Sequence, residues 1–167
     1  MIGSYVAGLR SRIGSACIFV PGVRAIILNT HGEVLLQRRS DNGLWGLPGG
    51  GVELHETALE ALRREVYEET GIVVNSAEPM ALYSGPGQRF RYPNGDEVQP
   101  FAIAFIVREW TGQPESDGKE GLALRFWSLD ALPHDMMAIH VRTLEDFRTY
   151  NGRFIVADNE KEGECSL

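Results

Sequence analysis

Apolar positions recur in two rhythms along this chain, and the switch between them marks out its elements. Residues 23–28 and 33–38 are largely apolar runs, and the polar stretch Asn29-Thr30-His31-Gly32 between them predicts a β-hairpin. Over residues 57–70 the period lengthens, because Ala58, Leu59, Leu62 and Val66 fall at helical spacing. Thr57 followed by Glu60 is a capping-box pattern at the start of that helix, and Gly71 stands where a helix end favours a left-handed residue. Further strands are expected at 72–74, 80–84, 98–107 and 122–127, with the turn signal Tyr92-Pro93-Asn94-Gly95-Asp96 ahead of the long one. A short helix at about 5–13 and a last helix at about 137–150 complete a mixed α/β chain, α+β in character, with one mixed sheet between helices.

The polar positions of the 57–70 helix carry the chemistry. Glu65, Glu68 and Glu69 are three and four residues apart, which gathers their carboxylates on one helix face. On a helical wheel that acidic stripe lies beside the apolar stripe, so the carboxylates should line a cleft edge. Like charges so close repel unless a hard cation such as Mg²⁺ joins them. Just upstream, Leu47-Pro48-Gly49-Gly50-Gly51 supplies backbone that can approach a ligand closely or offer carbonyls to a metal. Loop and helix together read as a platform for a cation and a diphosphate.

Bulk properties narrow the partners. With 167 residues, 43% of them hydrophobic, the chain suffices for one domain with a full core, and it contains no repeat or low-complexity linker. We divide it into an N-terminal segment (1–20) that includes the short helix, a main domain (21–152) and an acidic, flexible tail (153–167). A net charge of −7 argues against a nucleic acid polymer as partner, because phosphate neutralisation needs clustered Lys and Arg. Cys17 and Cys165 are too few and too far apart for a disulfide framework or a zinc site. Arg10 and Arg12 interrupt the weakly apolar N-terminal segment, which therefore reads neither as a signal peptide nor as a membrane span. A reducing cytoplasm is the compartment expected. The apolar residues of Tyr5-Val6-Ala7-Gly8-Leu9 need covering, either in a homodimer or by packing on their own domain.

Gly50, five residues, Glu56, seven residues, Arg64-Glu65-Val66, one residue, Glu68-Glu69, one residue, Gly71-Ile72 matches the Nudix box at every defined position, so the chain resembles the Nudix hydrolases, MutT-like members included. The supporting segments Leu44–Gly50 and Phe126–Pro133 extend the resemblance to roughly residues 20–150. It implies an α/β/α sandwich and Mg²⁺-dependent attack of water on a diphosphate linkage in a nucleoside diphosphate derivative or nucleoside triphosphate, with Mn²⁺ able to substitute. It also implies roles. Glu65, Glu68 and Glu69 would be metal ligands, with Glu65 also orienting or deprotonating the water; Arg64 would hold the glutamates, and Glu56 would be structural. Gly49 and Gly50 would lend loop carbonyls to the metal, and Glu120 would be a late acidic ligand or base.

Other residues keep two readings. Arg38 and Arg39 are phosphate contacts, Arg39 preferred, or solvated strand-end residues. Trp45 covers the sheet edge or stacks on a base. His31, His55, His134 and His140 show no metal-ligand spacing and are assigned no role. The motif of NADH-type members is absent, Pro86 falls near but off the position of a proline associated with ADP-ribose members, and the asparagine that reads oxidised guanine has no counterpart around Pro133-His134-Asp135. Two other activities share the scaffold: a nucleotide sensor without turnover, which tends to lose box glutamates retained here, and a prenyl diphosphate isomerase, which would want a cysteine in the cleft.

Overall fold

Both faces of the strand β1 (Ile18–Ile27) are apolar towards its end, and that decides the architecture. Val23, Ala25 and Ile27 enter one core with Ala61, Leu62 and Val66 of helix α2 (Ala58–Thr70), while the intervening Ile26 enters a second core with Leu144 of helix α3 (Ala138–Arg148). A sheet covered by a helix on each side is the α/β/α sandwich that was expected. The computed structural model describes residues 4–116, 118 and 121–157. No helix among them is long and apolar enough to cross a membrane.

The main sheet is mixed. β6 (Glu97–Thr111) runs parallel to β1, from Val98 opposite Ile18 to Val107 opposite Ile27, and antiparallel to β4 (Val73–Tyr83) on its other side. β5 (Phe90–Arg91) pairs with the start of β6 across the expected Tyr92–Asp96 turn, and β8 (Ile155–Ala157) adds to β4 in parallel. A smaller antiparallel sheet joins β3 (Trp45–Gly46), β2 (Val34–Arg39) and β7 (Gly121–Trp127).

Helix α1 (Ser4–Ile13) lies where the sequence places it, and Val6 and Arg10 face the chain's own cleft. Val6 is half-buried there, while Tyr5 and Ala7 of the same segment stay exposed.

The structure differs from expectation at several elements. β1 and β2 do not form a hairpin: they belong to different sheets and meet at the single bridge Leu28–Val34, beside a turn in which Asn29 Oδ1 accepts the His31 and Glu33 N–H groups. The reason is that one edge of β1 is taken by β6 and the other by the glycine loop, whose Pro48 and Gly50 carbonyls accept the Ala25 and Val23 N–H groups. The strands expected at 72–74 and 80–84 are one strand, β4, carried across register shifts near Ser76 and Pro79. Residues 155–157, expected in a flexible tail, are β8, because Ile155 and Ala157 pack on the α3 core. The rest of that tail, residues 158–167, lies outside the described residues.

Candidate active site

Helix α2 begins as the sequence dictates. Thr57 caps it, its hydroxyl accepting the Glu60 N–H while the Glu60 carboxylate accepts the Thr57 N–H, and Gly71 ends it at φ +69°. With both ends fixed, the side chains of Glu65 and Glu69 project under the glycine loop and are 8% and 4% exposed. Glu68 stays at the rim, its side chain 58% exposed.

The loop fits the helix by the shape of its glycines. Gly49 adopts φ +141°, and a Cβ there would lie 2.2 Å from the Val23 carbonyl oxygen, so any side chain is excluded. A Cβ on Gly50 would stand 2.6 Å from the Glu65 carboxylate. The Gly49 N–H donates to Glu69 Oε2 at 2.8 Å. His140, assigned no role from sequence, is buried against Gly46, and its Nδ1 accepts the Leu47 N–H at 2.9 Å, which pins the loop's entry. Burial, then the charges of Arg24 and Arg39, hold this imidazole far below its usual range, so it stays neutral.

Arg64 is the hub of the acidic face. Its Nε and Nη2 donate to Glu56 at 3.1 and 2.6 Å, its Nη1 to Glu65 Oε1 at 2.9 Å and Glu68 Oε2 at 3.3 Å, and its Nη2 also to the Gly51 carbonyl at 3.0 Å. Hydrogen bonding to Glu56, more than to Glu65, keeps this guanidinium firmly charged. The same contact holds Glu56 below the ordinary carboxylate range.

The two buried glutamates move the opposite way. Desolvation raises Glu65 above the ordinary range against the opposing pull of Arg64, and it pushes Glu69 up to about 7 against help from Gln37, the Gly49 N–H and Arg39. Both carboxylates are held largely out of water. Among the described residues no three acidic, imidazole or thiol groups converge closely enough to ligate a metal as they stand. The donor set nonetheless suits a hard divalent ion: two desolvated carboxylates, a third at the rim and the Gly49 carbonyl, all oxygen, whereas the Gly50 carbonyl expected to join them already accepts the Val23 N–H.

Glu65, Glu69 and Gly49–Gly51 line one end of a cleft of about 630 Å³. Arg39 and Tyr92 line the cleft with them, and α1 contributes Val6 and Arg10 to its wall. Arg39 is paired with Asp41, its Nε and Nη2 donating at 3.0 and 2.5 Å. Arg38 is not in the cleft; it points away, donating to the Gly43 carbonyl at 3.0 Å, with Asp135 at 3.8 Å. Trp45 also lies outside, packed edge-on against Trp127 with ring centres 5.4 Å apart. Glu120 lies outside the described residues.

Sequence reasoning missed Arg24, Tyr92 and Arg10. The signal for Arg24 was legible, since it is the one charged residue in the run from Ile18 to Ile27. Nothing local marked Tyr92 and Arg10, which reach the cleft only through tertiary packing.

A model of the NUDIX domain matches residues 18–147. A MutT-like protein of Streptomyces ambofaciens is 46% identical over 143 residues, covering 80% of this chain and 85% of that protein. An ADP-ribose pyrophosphatase of Methanocaldococcus jannaschii is 32% identical over 130 residues, covering 75% and 72%. The crystal structure of a MutT Nudix hydrolase from Burkholderia pseudomallei superposes with a TM-score of 0.65 at 28% identity, over 77% of this chain and 98% of that one. With Glu65 and Glu69 under the glycine loop, Glu68 at the rim and the domain match spanning most of its length, this chain belongs to the Nudix hydrolase family.

Proposed function

We propose that this hydrolase cleaves the diphosphate linkage of a nucleoside diphosphate derivative or nucleoside triphosphate with Mg²⁺ bound at Glu65, Glu68 and Glu69. The observation that carries the reading is the pair of desolvated carboxylates beside the glycine loop at one end of an open cleft. A bound divalent ion would neutralise the phosphate oxygens and make water a competent nucleophile near neutral pH. The chain's own residues do the rest. Arg64 aims Glu65, the Gly49 N–H holds Glu69, and either carboxylate can take the proton that water gives up. Arg39, backed by Asp41, faces the same cleft and is our candidate for a phosphate oxygen. Glu120 is kept as a further acid on the family resemblance alone. The prenyl isomerase reading loses ground, since Cys17 is exposed and does not line the cleft.

The test is direct. Glu68→Gln and Glu69→Gln should each lower kcat at least about a hundredfold, roughly 2.7 kcal/mol of transition-state stabilisation, on whichever nucleotide diphosphate is turned over. Full activity in both variants would refute the assignment.

A further inference from the structure

Arg24 of β1 is 4% exposed, and its hydrogen bonds go only to neutral groups. Nη1 donates to the Ile139 carbonyl and to Thr143 Oγ1, each at 3.0 Å, and Nη2 donates to Gln88 Oε1 at 2.7 Å. The guanidinium lies over the Tyr83 ring, 5.2 Å from its centre. Among the described residues no carboxylate pairs with Arg24, and its Nε–H and one Nη2–H have no acceptor. Burial pulls its pKa down to about 10. A cation stripped of water and given only neutral partners is an unfinished arrangement.

What lies beside it is a cavity. Arg24 lines a recess of about 120 Å³ that shares Arg39, Tyr92 and Gly49–Gly51 with the catalytic cleft. Leu47, Phe90, Ala102 and Met137 give the recess apolar and aromatic walls, suited to a flat ring.

We propose that this recess receives the base of the nucleotide, and that Arg24 reads the O6 and N7 edge of a 6-oxopurine, so that guanine nucleotides are preferred to adenine nucleotides. The assignment rests on the hydrolase reading for the nucleotide in the adjoining cleft. A guanidinium only donates; guanine offers two acceptors along that edge, whereas adenine offers one acceptor and an amino donor that opposes the arginine. In 8-oxoguanine N7 carries a hydrogen, so oxidation removes one of the two acceptors.

The experiment compares kcat/KM for GTP, ITP and ATP, and for dGTP against 8-oxo-dGTP, in the full chain and in Arg24→Met. Binding of GMP and AMP by calorimetry without added metal accompanies it. We expect GTP and ITP to exceed ATP at least about tenfold, GMP to bind at least about tenfold more tightly than AMP, and 8-oxo-dGTP to be no better than dGTP. In Arg24→Met the GTP to ATP ratio should fall to within about threefold of unity. Equal binding of GMP and AMP, a preference for 8-oxo-dGTP, or an unchanged ratio in a folded Arg24→Met overturns the proposal. Should that variant fail to fold, the wild-type comparison of GMP with AMP decides alone. Hydrolysis without base preference would sink this assignment and leave the hydrolase reading standing; GMP-selective binding with no turnover of any nucleotide would do the reverse.

Discussion

Glu69 shows how far one burial can move a residue's chemistry. An ordinary glutamate titrates near 4.5, and this one is raised to about 7, chiefly by desolvation. Because the folded state binds the proton more tightly than the unfolded chain, the folded state loses stability as pH rises between those values, and the loss is complete above about 7. We therefore expect the Tm of the metal-free protein to fall across that window, and Glu69→Gln to flatten the fall. Glu65 shifts in the same direction and steepens the slope. A calorimetric Tm that is level from pH 4.5 to 7 would contradict this. At this scale the sequence was informative about identity and weak about direction. The box spacing picked out Glu65, Glu69 and Arg64, yet the adjacent Arg38 and Arg39 read alike in the sequence. Strand alternation sends Arg39 into the cleft and Arg38 out to Gly43, and the face of β2 that borders the cleft is set only when the sheets pack.

At the scale of elements, the loop and helix work as one rigid part. The loop is stitched to β1 by the Val23 and Ala25 N–H groups, and the helix is capped at both ends. Gly49→Ala should break that fit, since φ +141° and a Cβ 2.2 Å from the Val23 oxygen leave no room. The expected outcome is a loss of at least about 2 kcal/mol of stability together with most of the activity, read by urea denaturation and steady-state kinetics. Helix α2 was legible down to its caps because its signals are local: the Thr57–Glu60 box, the 3.6-residue period and Gly71. The hairpin was not. Two apolar runs joined by a tight polar turn read as neighbours, and only the competition of β6 and the glycine loop for the edges of β1 separates them.

Across the whole molecule, long-range pairing supplied what local pattern could not. β8 is three residues long, and its parallel match of Ile155 to Ala81 and Ala157 to Tyr83 has no local signature. A chain ending at residue 154 should melt several degrees below one ending at 157, the difference isolating that strand in scanning calorimetry; equal melting temperatures would show that β8 contributes nothing. The two cores were legible in kind, since β1 is apolar on both faces and so must be covered twice. A last consequence follows from the edge-on contact of Trp45 and Trp127, at 74° between ring planes. Trp45 is tied to the approach to α3 through the Asp135 carbonyl and the Met137 N–H, while Trp127 ends β7. Two indoles locked at a skewed angle couple their electronic transitions, so this joint carries its own near-ultraviolet dichroism, an optical gauge of whether the small sheet and the last helix stay engaged.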